Sequence, residues 1–290
     1  GRFPAACADW AGCGGCGDLV NHRELLEGGM AAAEAGAEVL KRYFRSGGLR
    51  VETKAQNDFV TQADHESEAA LVAEILRRYP DHRILAEEGT LNSSATGDYE
   101  WVIDPLDGTT NFVQGLPVWA VSVACRRGRD LLAGVVLDPQ GGNVFTAVRG
   151  GGAYWNGHRM RVSERPALAG AFLATGYPFR AKAALDLYLG FFRGVFTEAR
   201  AIRRCGAAAL DLAYVAAGVY DGFFEFRLSP WDIAAGALLI EQAGGVLSDL
   251  DGGDRFLVSG NVLAGSPGVH AGLVAVAKGH ASEAELDRLV

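Results

Sequence analysis

Two aspartates stand where an apolar run of this chain meets a glycine and two threonines. The run reads Trp-Val-Ile-Asp-Pro-Leu-Asp-Gly-Thr-Thr-Asn-Phe and covers residues 101–112. Its apolar part is typical of a buried strand, and the part from Gly108 onward is typical of a turn or a helix start. Carboxylate oxygens are the ligands that Mg²⁺ prefers, and free N–H groups at a helix start bind phosphate oxygens. The segment therefore suits a divalent metal beside a phosphate, although a strand followed by an ordinary Asp-Gly turn has the same pattern.

Two further segments place carboxylates at the ends of apolar runs. Asp232 opens the alanine-rich segment 231–236, and Glu87 and Glu88 close the short run that begins at Ile84. Taken separately, an aspartate at a helix start is usually a cap, and paired glutamates at a strand end are usually solvated. A site for several metal ions gathers carboxylates from separate elements, so the three segments together favour a metal site.

These motifs resemble the two signatures of the inositol monophosphatase family. The matching residues are Asp-Pro-Leu-Asp-Gly-Thr-Thr-Asn-Phe at 104–112 and Trp-Asp-Ile-Ala-Ala-Gly at 231–236, in the expected order and spacing. The likeness runs from about Leu25 to the C-terminus. It implies a lithium-sensitive, Mg²⁺-dependent phosphatase with an α+β fold, in which helices and sheets alternate as a layered α-β-α-β-α sandwich.

Composition limits the partners of the chain. With 290 residues, 49% of them apolar, there is ample material for a sizeable core. The net charge of −8 argues against direct nucleic-acid binding, which favours a basic face. A small anionic substrate is compatible with this charge, because a bound metal sets the local field. No apolar run reaches the ~20 residues of a membrane span, and the start of the chain lacks the pattern of a secretory signal.

The five cysteines are an odd number and a low density for this length. Cys125 and Cys205 lie in apolar contexts that are typical of core thiols. Cys13 and Cys16 have CxxC spacing, but the nearby partners that a zinc or redox site requires are absent. A disordered extension is the simpler interpretation, and we expect a reducing, cytoplasmic location.

Hydrophobic periodicity and chain breakers divide the sequence into three parts. Residues 1–21 are predicted to be a disordered leader, 22–162 a metal-binding subdomain, and 163–290 an α/β subdomain that completes the site. In the first subdomain the pattern predicts helices over 26–44 and 64–78, a strand over 49–53, an exposed loop over 89–97 and an antiparallel meander over 118–160. In the second it predicts strands near 171–175, 199–203, 223–226, 246 and 262, helices over 181–196 and 207–219, a helix starting at Asp232, and terminal helices.

The family resemblance assigns metal ligands to the matching positions. It implies a first Mg²⁺ held by Glu87, Asp104 and the backbone carbonyl of Leu106. A second ion, bridged by Asp104, would be held also by Asp107 and Asp232, and two or three ions are expected in all. Proline fixes its own φ at about −65°, so the proline between the two aspartates helps one tight turn aim both carboxylates and a carbonyl at neighbouring ions.

Thr109, Asp64 and Glu87 are the candidate catalytic residues. The Thr109 hydroxyl, hydrogen-bonded to a carboxylate, would position and deprotonate the attacking water. The segment 57–64 resembles the early acidic motif of the family, which makes Asp64 the partner of Thr109. Asp64 also fits the N-cap of the helix that follows, and both roles can hold at once.

The substrate-binding candidates combine groups of the first motif with groups of the second subdomain: Asp107, Gly108, Thr109, Thr110, Gly206, Ala207, Ala208, Glu225 and Asp232. Glu225 matches the family residue that contacts an inositol hydroxyl, but it also fits an outward polar residue of a strand. Thr110 stands where relatives that act on phosphoadenosine nucleotides or histidinol phosphate have Lys or Arg. Lys54 precedes the acidic motif by one residue fewer than the family spacing, which leaves its role open.

These features predict hydrolysis of a small phosphorylated polyol, most simply inositol 1-phosphate, by a homodimer that contacts neither membrane nor nucleic acid. The enzymatic alternative is a sugar phosphatase, for example one that acts on fructose 1,6-bisphosphate. The alternative of another class is a regulatory, protein-binding role in a bacterial transcription complex. Because every expected metal ligand is present, we do not expect the regulatory role to have replaced catalysis. The chain can still have that role in addition.

Overall fold

The computed structural model describes residues 16–47, 51–55, 58–89, 95–179 and 182–280. Its first layer contains two helices, α1 (Cys16–Tyr43) and α2 (Gln62–Arg78), with a small antiparallel hairpin between them formed by β1 (Val51–Ala55) and β2 (Asp58–Thr61). Apolar side chains of both helices, among them Leu40 and Leu71, pack on one face of a large sheet.

The first helix begins earlier than the sequence pattern predicts. It starts at Cys16 rather than near Leu26, so the last six residues of the predicted leader are helical. The rest of that leader lies outside the described residues, as does the centre of the predicted 89–97 loop. The strand expected over 49–53 is β1, which begins at Val51 and includes Lys54. Nothing in the described side chains bears on the role of Lys54.

The large sheet has seven strands in chain order. They are β3 (Arg83–Ala86), β4 (Tyr99–Asp107), β5 (Ala120–Arg127), β6 (Asp130–Asp138), β7 (Asn143–Val148), β8 (Gly152–Trp155) and β9 (His158–Arg159), with the short helix α3 (Thr109–Val113) after β4. Strands β3 and β4 are parallel, and every later pair is antiparallel, as the predicted meander requires. Alternate residues of β5 face opposite sides: Val121 and Val123 enter the α1/α2 core, while Ala120 and Ala124 face the next layer.

The second sheet has five strands in the order β11, β10, β12, β14, β13. The strands are β10 (Phe172–Thr175), β11 (Ala201–Arg203), β12 (Gly222–Glu225), β13 (Val246–Ser248) and β14 (Val262–Gly265). The helices of this half are α4 (Leu185–Glu198), preceded by a 3₁₀ turn (Lys182–Ala184), α5 (Ala208–Ala216), α6 (Pro230–Gln242), α7 (Phe256–Ser259) and α8 (Pro267–His280). Each element predicted for this half is present, with ends shifted by a few residues.

Three apolar cores separate the layers. One lies between α1, α2 and the large sheet, and the second buries α5 and α6 between the two sheets. The third lies between the small sheet and the helices α4 and α8. The α-β-α-β-α order expected from the sequence is therefore correct. Division into 22–162 and 163–290 stays an interpretation, because α5 and α6 pack on both sheets. Within the described ranges, no helix combines the length and apolarity that crossing a bilayer requires.

The middle layer depends on a close approach of α5 and α6. A Cβ atom on Gly236 of α6 would lie 2.5 Å from the Cβ of Leu212 on α5. Gly190 of α4 is a helical glycine of the opposite kind, since a Cβ there would meet nothing within 4 Å. Alanine at Gly190 therefore tests helix propensity alone, whereas alanine at Gly236 also tests the packing of α6 against α5.

We expect Gly236→Ala to destabilise the protein and Gly190→Ala to stabilise it. Overpacking typically costs about 1–3 kcal/mol, while alanine is favoured over glycine in a helix interior by about 0.5–1 kcal/mol. Urea-induced unfolding of both variants measures the two free energies. If Gly236→Ala stabilised the protein, α5 and α6 would be able to move apart without lowering the free energy of unfolding.

Candidate active site

A cavity of about 390 Å³ opens where β4 and β12 end and where α5 and α6 begin. Its lining brings together almost every site residue that the sequence predicts: Glu87, Asp104, Leu106, Asp107, Gly108, Thr109, Thr110, Gly206, Ala207, Ala208, Glu225 and Asp232. Asp64 is the one candidate outside the lining, and it lies behind Thr109. Residues more than a hundred positions apart in the sequence therefore share one cavity.

Three buried carboxylates form the floor of this cavity. Asp104, Asp107 and Asp232 each offer an oxygen, and these three oxygens lie within 4.8 Å of one another. Burial and then the neighbouring Asp232 raise the pKa of Asp107 to about 7. Burial, followed by the charge of Glu87, raises the pKa of Asp104 well above its ordinary value. Like charges this close require a counter-cation or protons.

The residues fit a hard divalent cation. The donors are carboxylate oxygens and a backbone carbonyl, the set that suits Mg²⁺ rather than a softer metal. Glu87, Asp104, Leu106, Asp107 and Asp232 all line the same cavity. Neutralising the buried negative charge would also relieve the repulsion that raises the pKa values.

An irregularity in β4 aims the first two aspartates. The sequence suggests a strand that ends at Asp104, but β4 continues to Asp107. Asp104 pairs with Ser122 and Asp107 with Ala120, so β4 has one residue more than β5 between these pairs. Such a bulge accommodates a proline, which has no N–H to donate to the ladder. Asp104 Oδ1 accepts a hydrogen bond of 2.9 Å from the Leu106 N–H, which closes the turn.

Asp107 is held by the first turn of α5. Its Oδ1 accepts the Ala208 N–H at 3.1 Å, and its Oδ2 accepts the Ala209 N–H at 2.8 Å. These bonds oppose the rise in the pKa of Asp107. Gly206, Ala207 and Ala208 line the cavity as predicted, and the N–H of Ala208 is donated to Asp107; their contact with a substrate stays a prediction.

Asp232 lies in the first turn of α6. The sequence places it at the helix start, but the N-cap residue is Ser229 and Asp232 is the third helical residue. The Asp232 carboxylate returns to the N-cap, where its Oδ2 accepts the Ser229 N–H at 2.7 Å. This reciprocal arrangement is a capping box, and Pro230 occupies the first turn, where its missing N–H has no consequence.

Thr109 and Asp64 meet beside the floor. Thr109 Oγ1 lies 3.3 Å from Asp64 Oδ1 and 3.1 Å from the Leu106 carbonyl oxygen, so its single proton has two acceptors. Asp64 Oδ2 accepts the N–H of Thr61 at 2.9 Å and also its hydroxyl. Thr61, not Asp64, is therefore the N-cap of α2, and Asp64 completes a second capping box. Burial raises the pKa of Asp64 to about 6.

Several residues that shape the cavity carried no decisive signal in the sequence. Asn111 Nδ2 donates to the carbonyl oxygens of Val118 at 2.8 Å and Cys205 at 2.9 Å, which ties the first motif to the loop before α5. Arg204 and Arg227 line the cavity rim. The position of Asn111 directly after the two threonines was the available signal, whereas the arginines are ordinary loop residues in the sequence.

Gly176 determines where Glu225 lies. Glu225 ends β12, and its carboxylate is packed so closely against Gly176 that a Cβ on this glycine would overlap it. Burial, followed by the charge of Asp232, raises the pKa of Glu225 well above its ordinary value, and Arg204 opposes the rise. Glu225 thus points into the cavity lining and is not an outward strand residue.

Comparison with known proteins agrees with this geometry. Residues 21–282 match the model of the Inositol monophosphatase family. This chain belongs to that family. Nus factor SuhB from Salmonella typhimurium (strain LT2) is 47% identical over 264 residues, which cover 91% of this chain and 98% of the relative.

Solved structures of the family show the same fold. The extragenic suppressor protein suhB from Bartonella henselae superimposes with a TM-score of 0.84 at 38% identity, covering 88% of this chain and 98% of the other. An inositol monophosphatase from Anabaena gives a TM-score of 0.80 at 32% identity, covering 91% and 99%. Both the family and the layered fold expected from the sequence are thereby confirmed.

We expect Gly176→Ala to leave stability almost unchanged but to displace the Glu225 carboxylate. The overlapping atoms belong to the end of a flexible side chain, which can move at small cost. If Glu225 binds a substrate hydroxyl, KM for a polyol phosphate should rise about tenfold, as for the loss of one charged hydrogen bond. Gly190→Ala is the control glycine variant. Unchanged kinetics with a polyol phosphate would separate Glu225 from substrate binding.

We expect Asp64→Asn to gain stability relative to the wild type as the pH rises from about 4 to about 7 without divalent metal. The folded-state pKa of about 6 exceeds the ordinary value of about 3.9. The folded wild type therefore binds more protons in this interval, and its stability falls as the pH rises through about 6. The full difference corresponds to about 3 kcal/mol.

Urea unfolding at both pH values, with a chelator present, measures this difference. Asp81→Asn, at an exposed position, is the matched control. Parallel pH dependences for wild type and Asp64→Asn would contradict a raised pKa at Asp64.

Proposed function

We propose that this chain is a Mg²⁺-dependent phosphomonoesterase that releases orthophosphate from a small phosphorylated polyol, with inositol 1-phosphate as the leading substrate. The observation that carries the proposal is the buried triad Asp104, Asp107 and Asp232, whose oxygens lie within 4.8 Å of one another. Membership of the inositol monophosphatase family supports it. A phosphate monoester is a dianion, so a floor made of carboxylates can accept it only with cations between them.

The residues divide into ligands and positioning groups. Glu87, Asp104 and the Leu106 carbonyl would hold one Mg²⁺, and Asp104, Asp107 and Asp232 another, with a third ion left open. Bound there, Mg²⁺ supplies charge neutralisation of the phosphate and a lower pKa for a coordinated water. Glu87 lines the cavity together with Asp104, and we assign it a second task in orienting the water.

Thr109 and Asp64 handle the proton of the attacking water. Thr109 Oγ1 can donate its own proton to Asp64 Oδ1, 3.3 Å away, while its lone pair accepts a hydrogen bond from the water. The water oxygen bonds to phosphorus as the bond between phosphorus and the ester oxygen breaks, and the proton that the water loses passes to Thr109 Oγ1 as the Thr109 proton passes to Asp64 Oδ1. The leaving alkoxide takes a proton from solvent to become the free alcohol. Asp64 is held rigidly by Thr61, so the acceptor of this relay does not have to move.

The rim supplies the contacts to the polyol. Glu225 is placed to accept a hydrogen bond from a substrate hydroxyl, since Gly176 leaves room for its carboxylate in the cavity wall. Gly108, Thr109 and Thr110 also line the cavity, and their N–H groups would bind the phosphate. A sugar phosphate such as fructose 1,6-bisphosphate is the alternative substrate. We further propose a cytoplasmic homodimer, on family resemblance alone.

A regulatory role is the second candidate, and the names of the relatives favour it. Proteins that are 45–50% identical to this chain are named Nus factor SuhB. A role in a bacterial transcription complex would use the surface of the molecule and would not require turnover. The two candidates are compatible in one protein.

We expect Asp107→Asn and Asp232→Asn each to lower phosphate release from inositol 1-phosphate at least about 100-fold, because each removes one anionic ligand. Activity of the wild type should require Mg²⁺ and fall with added lithium. Asp254→Asn, at an exposed surface carboxylate, is the control and should behave as the wild type. Near-normal turnover in either variant would rule out the assignment of the three buried aspartates as metal ligands.

The same variants separate the two functions. An inactive, folded Asp107→Asn protein that still binds a purified bacterial transcription complex as the wild type does would establish the regulatory role apart from catalysis. If Asp107→Asn lost both binding and turnover, this variant would not separate the regulatory role from catalysis.

A further inference from the structure

Arg227 has a left-handed backbone at the rim of the cavity. Its φ is +64°, and within the described ranges Arg45 and Asn156 are the other non-glycine residues with a positive φ. Arginine is disfavoured in this conformation, whereas glycine adopts it without steric cost. Of the three residues, only Arg227 lines the cavity. Strained residues cluster at sites that bind ligands, and folding alone would favour a glycine at this position.

The segment behind Arg227 fixes this backbone conformation. Asn261 is fully buried, and its Oδ1 accepts the Arg227 N–H at 3.4 Å. The next residue, Leu228, donates its N–H to the carbonyl oxygen of Gly260 at 2.8 Å. A Cβ on Gly260 would lie 2.0 Å from the Leu228 carbonyl oxygen, so the two segments meet backbone to backbone. The left-handed turn, and with it the place of Arg227 on the rim, is therefore held by packing and hydrogen bonds.

The neighbours of Arg227 associate it with the alcohol part of the substrate. Glu225, two residues earlier, lines the same cavity and is the residue that the proposed function assigns to a substrate hydroxyl. The groups expected to bind the phosphate, in segment 108–110, belong to a different part of the lining. A carboxylate accepts hydrogen bonds and a guanidinium donates them. Because a hydroxyl can do both, the two side chains together suit two adjacent hydroxyl groups.

We propose that Arg227 is a specificity-determining residue that donates a hydrogen bond to a substrate hydroxyl adjacent to the one bound by Glu225. This inference rests on the proposed phosphatase function. It narrows the substrate class to phosphate esters of alcohols with vicinal hydroxyl groups, which includes inositol 1-phosphate. The competing explanation is that Arg227 attracts the phosphate through its charge. In that case it acts on every phosphate ester alike.

Arg45 offers a matched control. It is also an arginine with a left-handed backbone, at a φ of +58°, and it is not part of the cavity lining. Its guanidinium donates to the Gly115 carbonyl oxygen, which lies 2.7 Å from Nη2 and 3.0 Å from Nε. Arg45→Gly and Arg227→Gly therefore remove the same side chain from the same backbone conformation, at only one position that lines the cavity.

The test compares two esters with the same ring size, using the full chain with Mg²⁺. Inositol 1-phosphate has vicinal hydroxyl groups, and cyclohexyl phosphate has none. We expect the ratio of kcat/KM for the first ester to that for the second to fall at least about tenfold in Arg227→Gly, through a higher KM for inositol 1-phosphate, the scale of one charged hydrogen bond. Arg45→Gly should keep the wild-type ratio. Arg227→Lys, which keeps the charge but loses the planar fork, should give an intermediate ratio.

Thermal unfolding separates lost binding from a damaged fold. Glycine relieves the left-handed backbone, so the Tm of Arg227→Gly should be no lower than that of the wild type. Arg227→Asn is the second variant, because asparagine tolerates this conformation better than other residues with side chains. The ratio of kcat/KM should fall in both variants.

Each outcome bears on the proposal. A lower ratio in both Arg227 variants, with Tm retained in at least one of them, supports it. An unchanged ratio, an equal loss of kcat/KM for both esters, or an equal fall of the ratio in Arg45→Gly would overturn it.

Failure of the proposed function itself would look different, since the wild type would then hydrolyse neither ester. Calorimetric titration of the full chain with the two esters, in the presence of Mg²⁺, would then decide. Tighter binding of inositol 1-phosphate than of cyclohexyl phosphate, abolished in Arg227→Gly, supports Arg227 as a hydroxyl-binding residue. Equal binding of the two esters by the wild type overturns it.

Discussion

The cavity depends on burying several carboxylates close together, and three helix N-termini make this feasible. Asp64, Asp107 and Asp232 accept backbone N–H groups of the first turns or caps of α2, α5 and α6. A helix start offers unpaired donors and a partial positive charge, so each carboxylate satisfies a helix that would otherwise end in buried, unpaired groups. The layered fold brings the three helix starts to the end of β4, and for this reason the site cannot be separated from the architecture.

The backbone N–H groups offset only part of the electrostatic cost of burying these carboxylates. The cost that is left favours binding of a cation. The pKa of Asp107 reaches about 7 although it accepts backbone N–H groups from α5, and burial, followed by the charge of Glu87, raises the pKa of Asp104 well above its ordinary value. A protein without cations in the cavity therefore holds negative charge that destabilises it. Binding of a divalent cation would convert that unfavourable energy into affinity, since neutralisation stabilises the folded state and not the unfolded one. Under the proposed function, the arrangement that makes the protein less stable alone is the one that would bind the metal.

The sequence was informative about local chemistry and less so about long-range connections. Apolar periodicity located the helices and the meander, and the acidic motifs identified the lining of the cavity, because these signals lie within a few residues. The hydrogen bonds between Asp107 and the start of α5 join residues about a hundred positions apart, and no local sequence pattern predicts them. The same limit applies to the N-cap alternative for Asp64 and Asp232: sequence shows an acid near a helix start, but only backbone geometry distinguishes the N-cap Thr61 or Ser229 from the third helical residue. Helix α1 extends to Cys16 where glycine-rich composition suggested disorder.

Floor and rim of the cavity are built by different means, and this difference bears on how substrates are selected. The floor is set by backbone: a bulge in β4 and the first turns of helices, which small changes in sequence leave in place. The rim is set by side chains on connections and at a strand end: Arg204 contacts the rings of Tyr177 and Phe179, and Glu225, at the end of β12, has room because Gly176 has no side chain. Under the proposed function, a substitution on the rim would change which alcohol is accepted while the phosphate chemistry of the floor persists. Substrate class would then depend on a few rim residues, which lie where sequence motifs for the reaction carry the least information.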